Sequence, residues 1–211
     1  MQKITSIKAQ RKNTQRVSVF LDGEYAFGLT RIVAGWLHIG QILSDENIAA
    51  LKSEDELEMA YLRALNFLSY RPRSKTEIRR NLRKYKVPEI LIEPTVERLE
   101  QNKFINDKEF AQLWVENRNS FRPRGRRALS VELRQKGIAD EVIQSTLDEL
   151  VNDEILAYQA GIKKARKLAK YEWQDFRKKL SGFLARRGFS YAVISPLLPQ
   201  LWEEVQTEEN E

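Results

Sequence analysis

The chain has 211 residues, 36 lysines and arginines against 30 acids, a formal charge of +6, a pI near 9.4 and no cysteine. The lack of cysteine excludes a disulfide scaffold and a Cys-ligated zinc site, and favours a reducing compartment. No apolar run is long enough to span a bilayer, and Met1–Ala9 lacks the apolar core of a signal peptide, so a cytoplasmic protein without membrane partners is expected.

Taken in order, Lys3 to Gln10 and Arg16 to Leu21 are β-rich, and Asp22-Gly23 is a hairpin signal whose second arm continues through Tyr25–Leu29. Ser44 predicts the cap of a short helix over Asp45–Lys52. Residues 1–52 therefore read as a small β-hairpin-containing extension.

Internal repetition organises the rest. Ser69-Tyr70-Arg71-Pro72-Arg73-Ser74 returns 51 positions later as Ser120-Phe121-Arg122-Pro123-Arg124-Gly125. The same shift carries Leu82 to Leu133 and Leu184, Ile92 to Ile143 and Ile194, Val96 to Leu147 and Leu198, and Leu99 to Leu150 and Leu201. Three units of three helices follow, at 53–105, 106–156 and 157–205, with an acidic tail at 206–211. The third keeps the apolar skeleton but has Glu172-Trp173-Gln174 in place of Arg-Pro-Arg. Ser74 with Glu77 and Asn106 with Glu109 read as N-terminal capping pairs. Gly137 and Gly188 suit helix C-termini, whereas Lys86 at the equivalent point predicts a different cap in the first unit. Pro94 and Pro196 predict that the third helices start late or kink. Units of about 50 residues are small for independent stability, so neighbours are expected to pack. The expected fold is mainly α: tandem three-helix, helix-turn-helix-like repeats in an elongated curved array.

Catalytic signals are missing. The one histidine, His38, has no partner group in the sequence and reads as a partly buried structural residue, and no glycine pattern matches a phosphate loop. The acids stand mostly beside basic residues on helix faces, the ordinary arrangement for ion pairs, so neither an enzyme nor a cofactor or metal is expected. Basic clusters, by contrast, recur. The first holds Arg71, Arg73, Lys75, Arg79, Arg80, Arg83, Lys84 and Lys86; the second Arg118, Arg122, Arg124, Arg126, Arg127, Arg134 and Lys136. The third runs from Lys163, Lys164, Arg166, Lys167 and Lys170 to Arg177, Lys178, Lys179, Arg186 and Arg187. One charge run is usually a solvated face. Recurrence at the same point of each unit, largely as arginine, points to a binding surface. From these clusters the expected contact set is Arg71, Arg73, Arg79, Arg80, Arg83, Lys84, Arg122, Arg124, Arg126, Arg127, Arg134, Lys136, Arg177, Lys178, Arg186 and Arg187. Tyr70 and Phe121, just before the turns, have the chemistry to stack on bases but are expected to plug helix junctions, and Trp114, Trp173 and Trp202 read as packing residues.

Two stretches resemble RecX proteins: Ser69 to Glu77 followed by Leu82, and Ile105-Asn106-Asp107-Lys108-Glu109-Phe110-Ala111 with Leu133 to Ile138 downstream. Leu21 to Gly28 resembles the extension of longer members. The resemblance implies a modulator, usually an inhibitor, of RecA recombination, ATPase and coprotease activity, binding in the filament groove and so affecting DNA repair and the SOS response; a monomer is expected. It carries no catalytic residues. Whether the arginines meet DNA phosphates or RecA carboxylates stays open, and weak, sequence-tolerant binding to single- and double-stranded DNA is expected. A stand-alone helix-turn-helix DNA-binding protein is the alternative, and a nuclease a third class.

Overall fold

The computed structural model describes residues 1–210, the side chains of 209 and 210 excepted, so residue 211 of the expected acidic tail lies outside the described residues. The chain forms two compact units: residues 1–73 with 78–105, and residues 74–77 with the chain from 106 onward.

In the first unit, β1 (Gln2–Ala9), β2 (Arg16–Leu21), β3 (Glu24–Thr30) and β4 (Ile42–Leu43) form an antiparallel sheet in the order β3-β2-β1-β4. The Asp22-Gly23 turn closes the β2–β3 hairpin with Leu21 opposite Glu24, and both turn residues have positive φ. One face buries Ile4, Val19, Leu21, Phe27 and Leu29. His38 is exposed rather than partly buried; its backbone N–H donates to the side chain of Gln41 and its carbonyl accepts the Gln41 N–H.

The short helix expected over 45–52 is the first third of α1 (Asp45–Leu68), 24 residues long. Ser44 caps it as expected: its hydroxyl accepts the Asn47 N–H, and its own N–H donates in return to the Asn47 side-chain oxygen. It does not stop at Lys52 because no breaker follows and its later turns bury Ala60, Tyr61 and Ala64 against α2 (Lys75–Lys84) and α3 (Glu89–Gln101). Asp55, on α1, also reaches back to the sheet: it accepts the Thr30 N–H and pairs with Arg16 at 2.8 Å.

In the second unit, α4 (Asp107–Phe121), α5 (Arg126–Gln135) and α6 (Asp140–Leu150) share a single core with α7 (Asp153–Ala165), α8 (Trp173–Arg186) and α9 (Tyr191–Asn210). Asn106 caps α4, accepting the N–H groups of Lys108 and Glu109. The skeleton inferred from the shift is the core: Leu82, Leu133 and Leu184 are all buried, as are Ile92, Ile143 and Ile194. Ile78, Leu129 and Leu180 add a further buried series. Trp114, Trp173 and Trp202 pack against this core as expected.

Four details differ from the sequence reading. The helix that opens the third repeat begins at 153, not 157, because Asn152 caps it through the N–H groups of Glu154 and Ile155. Pro94 and Pro196 sit inside α3 and α9, both of which begin upstream of them. In each the proline is the sixth helical residue; α3 lacks one backbone donor, and α9, which also contains Pro199, lacks two, while buried Ile92, Val96, Ile194 and Leu198 hold the helices together. The described part of the acidic tail is not a separate segment, since α9 runs on to Asn210 and pairs Glu208 with Arg166 at 2.7 Å.

The fourth is Lys86. It does not need a different cap: it takes φ +58°, and the Val87 N–H reaches Leu82 O at 3.1 Å, the same closure that Ile138 makes to Leu133 after Gly137. A lysine pays for a left-handed backbone that glycine adopts freely. Lys86→Gly should therefore raise stability by about 1 kcal/mol, read as a higher urea midpoint at unchanged slope.

Candidate functional site

The middle helices explain much of the recurrence of basic residues. Arg83 on α2 pairs with Glu89, the first residue of α3; 51 positions on, Arg134 on α5 pairs at 2.7 Å with Asp140, the first residue of α6. Arg79 holds Glu93 through two hydrogen bonds of 2.8 and 2.9 Å. Hydrogen bonds from these arginines hold the Glu89 and Glu93 carboxyls below the ordinary carboxylate pKa. Arg126 bonds Asp148 and the Leu147 carbonyl, and Lys136 pairs with Glu77 at 2.8 Å. These cations are largely neutralised by the fold itself.

The repeated turns divide the remaining arginines into two roles. In each turn the second arginine is drawn inward. The Arg73 guanidinium stacks 3.9 Å from the centre of the Phe67 ring. Arg124 lies 2.6 Å from Glu132, a carboxylate that also takes the Trp114 indole N–H and Arg118 Nε. The first arginines, Arg71 and Arg122, are exposed. Tyr70 and Phe121 do not plug helix junctions: 77% and 78% of their surfaces are exposed. Each stands at the end of its helix, where the following proline turns the chain outward, so the apolar ring is left on the surface beside an arginine.

Within the second unit, the turn at Phe121 borders a cleft of about 800 Å³. It is lined also by Lys163, Lys164 and Lys167, from the end of α7 and the turn that follows it, and by Phe183 and Arg187 from α8 and its C-terminal cap. Arg187 donates to the Pro123 carbonyl at 3.1 Å and lies 4.6 Å from the Phe183 ring centre. Burial, and behind it the charges of Arg124 and Arg122, hold its pKa below the ordinary guanidinium value. Among the described residues no carboxylate lines this cleft. The contact set expected from the sequence includes Arg187 but omits the three lysines. Arg127 and Arg186 border a second concavity with Tyr191, while Arg177, Lys178, Arg80 and Lys84 lie exposed on their helices. Among the described residues no group of three or more His, Cys, Asp or Glu side chains could hold a metal ion, and no helix is long and apolar enough to cross a membrane.

Family comparisons cover both units. Models of the regulatory protein RecX N-terminal domain and of the first, second and third RecX three-helix domains match residues 2–44, 60–99, 106–147 and 153–198. The chain is 34% identical over 204 residues to the regulatory protein RecX of Bacillus velezensis, covering 93% of this chain and 76% of that one. It is 35% identical over 205 residues to that of Bacillus subtilis, covering 94% and 76%. The chain belongs to the RecX regulatory protein family. A crystal structure of a regulatory protein RecX matches with a TM-score of 0.77 and 29% identity, over 92% of this chain and 98% of that one. The RecX of Lactobacillus salivarius matches with a TM-score of 0.63 and 28% identity, over 70% and 97%. In this RecX-family chain all three repeats are thus accounted for, including the third, which lacks the Arg-Pro-Arg turn.

Proposed function

We propose that this chain is a non-enzymatic, cytoplasmic regulator that binds RecA filaments on DNA and lowers their ATPase, strand-exchange and coprotease activities, so restraining recombinational repair and the SOS response. The match of more than nine-tenths of the chain to proteins named as RecX regulators carries this reading. The turns support it, because an exposed aromatic beside an exposed arginine recurs in two repeats, and repeated modest contacts add by multivalency along a filament. The acting cations are then the exposed Arg71 and Arg122 and the basic residues around the cleft.

Added to RecA on single-stranded DNA, the protein should slow ATP hydrolysis at substoichiometric amounts; unchanged hydrolysis and strand exchange at equimolar protein would remove the reading. Retained DNA binding in that case would favour the stand-alone DNA-binding alternative. Tyr70→Ala with Arg71→Ala, and Phe121→Ala with Arg122→Ala, should each weaken filament binding roughly fivefold or more. That corresponds to about 1 kcal/mol for an exposed charged contact plus the lost ring. Melting temperatures should hold, since all four side chains are exposed. Arg134→Gln should change filament binding less than twofold, which one titration series decides.

A further inference from the structure

The cleft of the second unit combines three features that its place in the core does not require. Lysines in the last turn of a helix are ordinarily explained by the macrodipole, and Lys163 and Lys164 fit that explanation. Lys167 lies beyond the end of α7, and Arg187 comes from a different helix end, yet both line the same space. The cluster also tolerates the crowding of Arg122 and Arg124 around Arg187 without a carboxylate among the described lining residues. A cleft lined by cations, with its nearest acids already bonded to Tyr158, Arg124 and Arg166, holds a positive potential that draws an anion. Finally, the rim is an aromatic ring, Phe121, left 78% exposed where burial would have stabilised the fold.

We propose that this cleft seats a single nucleic-acid strand, one unstacked base lying against Phe121 and the flanking phosphates on Lys163, Lys164, Lys167 and Arg187. This rests on the reading that the chain works on RecA–DNA filaments and gives that reading a contact point. The volume falls within the roughly 300–1,000 Å³ of ligand pockets. Lys163, in the last turn of α7, and Lys167, in the 3-10 turn that follows, are four residues apart in the chain and line the same space, so they can meet separate oxygens of one backbone. Lysine supplies point charges suited to phosphate, whereas bidentate carboxylate recognition favours arginine. A ring face adds nothing to an acidic peptide but gives any base a stacking partner. Duplex DNA keeps its bases inside the helix and would meet the cations alone.

The test uses the full chain and a labelled oligothymidylate of about 15 nucleotides, with a duplex of equal length and polyglutamate as comparators. Phe121→Ala should weaken oligothymidylate binding roughly five- to a hundredfold while changing duplex binding less than twofold, and Phe121→Trp should restore it. Lys163→Gln with Lys164→Gln and Lys167→Gln should reduce the log–log salt slope on the single strand by about 2. Equal affinity of Phe121→Ala and the parent chain would overturn the proposal. So would equal losses on both nucleic acids, or displacement of the strand by polyglutamate at matched charge. RecA ATPase, followed with the same proteins, separates the two levels. Inhibition by a parent chain that fails to bind oligothymidylate overturns the cleft and leaves the regulator. Base-dependent oligothymidylate binding without any effect on RecA does the reverse.

Discussion

Gly188→Ala is expected to lower the stability of the second unit by about 3 kcal/mol, with the loss seen in urea unfolding followed by tryptophan fluorescence. Two separate costs meet at this residue. Its φ of +89° lies where a side chain is strained, about 1–2 kcal/mol. An added Cβ would also come within 2.5 Å of the Ala128 backbone nitrogen and Cβ, so packed backbone must move, a cost of about 1–3 kcal/mol. Gly125→Ala separates the two. Gly125 has an ordinary extended backbone, φ −75° and ψ 161°, but its added Cβ would lie 2.5 Å from the Gly188 carbonyl oxygen. It should show the packing cost alone. Three of the four tryptophans, Trp114, Trp173 and Trp202, lie in this unit against its core, so their emission reports its unfolding. If Gly188→Ala unfolded no earlier than the parent chain, the close approach would contribute nothing to stability.

That junction shows what a repeat alignment can and cannot tell. The 51-residue shift places Ser74 on Gly125 and Lys136 on Arg187. Both pairs are hydrogen-bonded in the second unit, but differently: the Ser74 hydroxyl donates to the Lys136 carbonyl at 2.6 Å, and the Gly125 backbone N–H donates to the Arg187 carbonyl at 2.9 Å. The change from serine to glycine looks like a lapse in the repeat. It is the substitution that lets the backbone itself reach the carbonyl, which a Cβ would obstruct. Periodicity exposed the core positions because burial selects residue type at every turn. It could not expose the junction, where one geometric need is met by a hydroxyl in one repeat and an amide in the next.

The basic clusters teach the opposite lesson. Their recurrence is real, but part of it is the recurrence of an ion pair, Arg83 with Glu89 and Arg134 with Asp140, which joins the second helix to the start of the third. Sequence spacing alone cannot assign those acids, because the partners lie six residues apart across a helix end rather than on one helical face. The exposure of Tyr70 and Phe121 is hidden from the sequence for a related reason. An aromatic before a turn is usually buried, and only the direction in which the chain leaves the helix decides otherwise. The cleft lysines are conspicuous in sequence as charge, but their sharing a cleft with Phe121 depends on the single core that the second and third repeats build together.

Asp55→Ala is the second large effect expected, about 3 kcal/mol from the first unit. Asp55 is buried on α1 and serves both neighbouring strands of the sheet: Oδ1 accepts the Thr30 N–H at 2.5 Å, and Oδ2 meets Arg16 Nη2 at 2.8 Å. The same Arg16 nitrogen donates to the Gly28 carbonyl at 2.9 Å, so one carboxylate fixes β2 and β3 against the helix. Truncation leaves a buried N–H without its acceptor and a guanidinium with its counter-charge gone. Removing one partner of a buried pair costs about 3–5 kcal/mol, and the lower end applies because the Arg16 side chain keeps 20% of its exposure. Asp55→Asn should lose less, since an amide oxygen can still accept from Thr30 while the charge is gone. Global unfolding gives the total, and hydrogen exchange at the Thr30 amide gives the local part. That amide should lose protection in Asp55→Ala and keep most of it in Asp55→Asn. A cycle with Arg16→Ala isolates the pair itself: a coupling near zero would show that the Thr30 bond alone holds the sheet, and that the arginine adds only its packing.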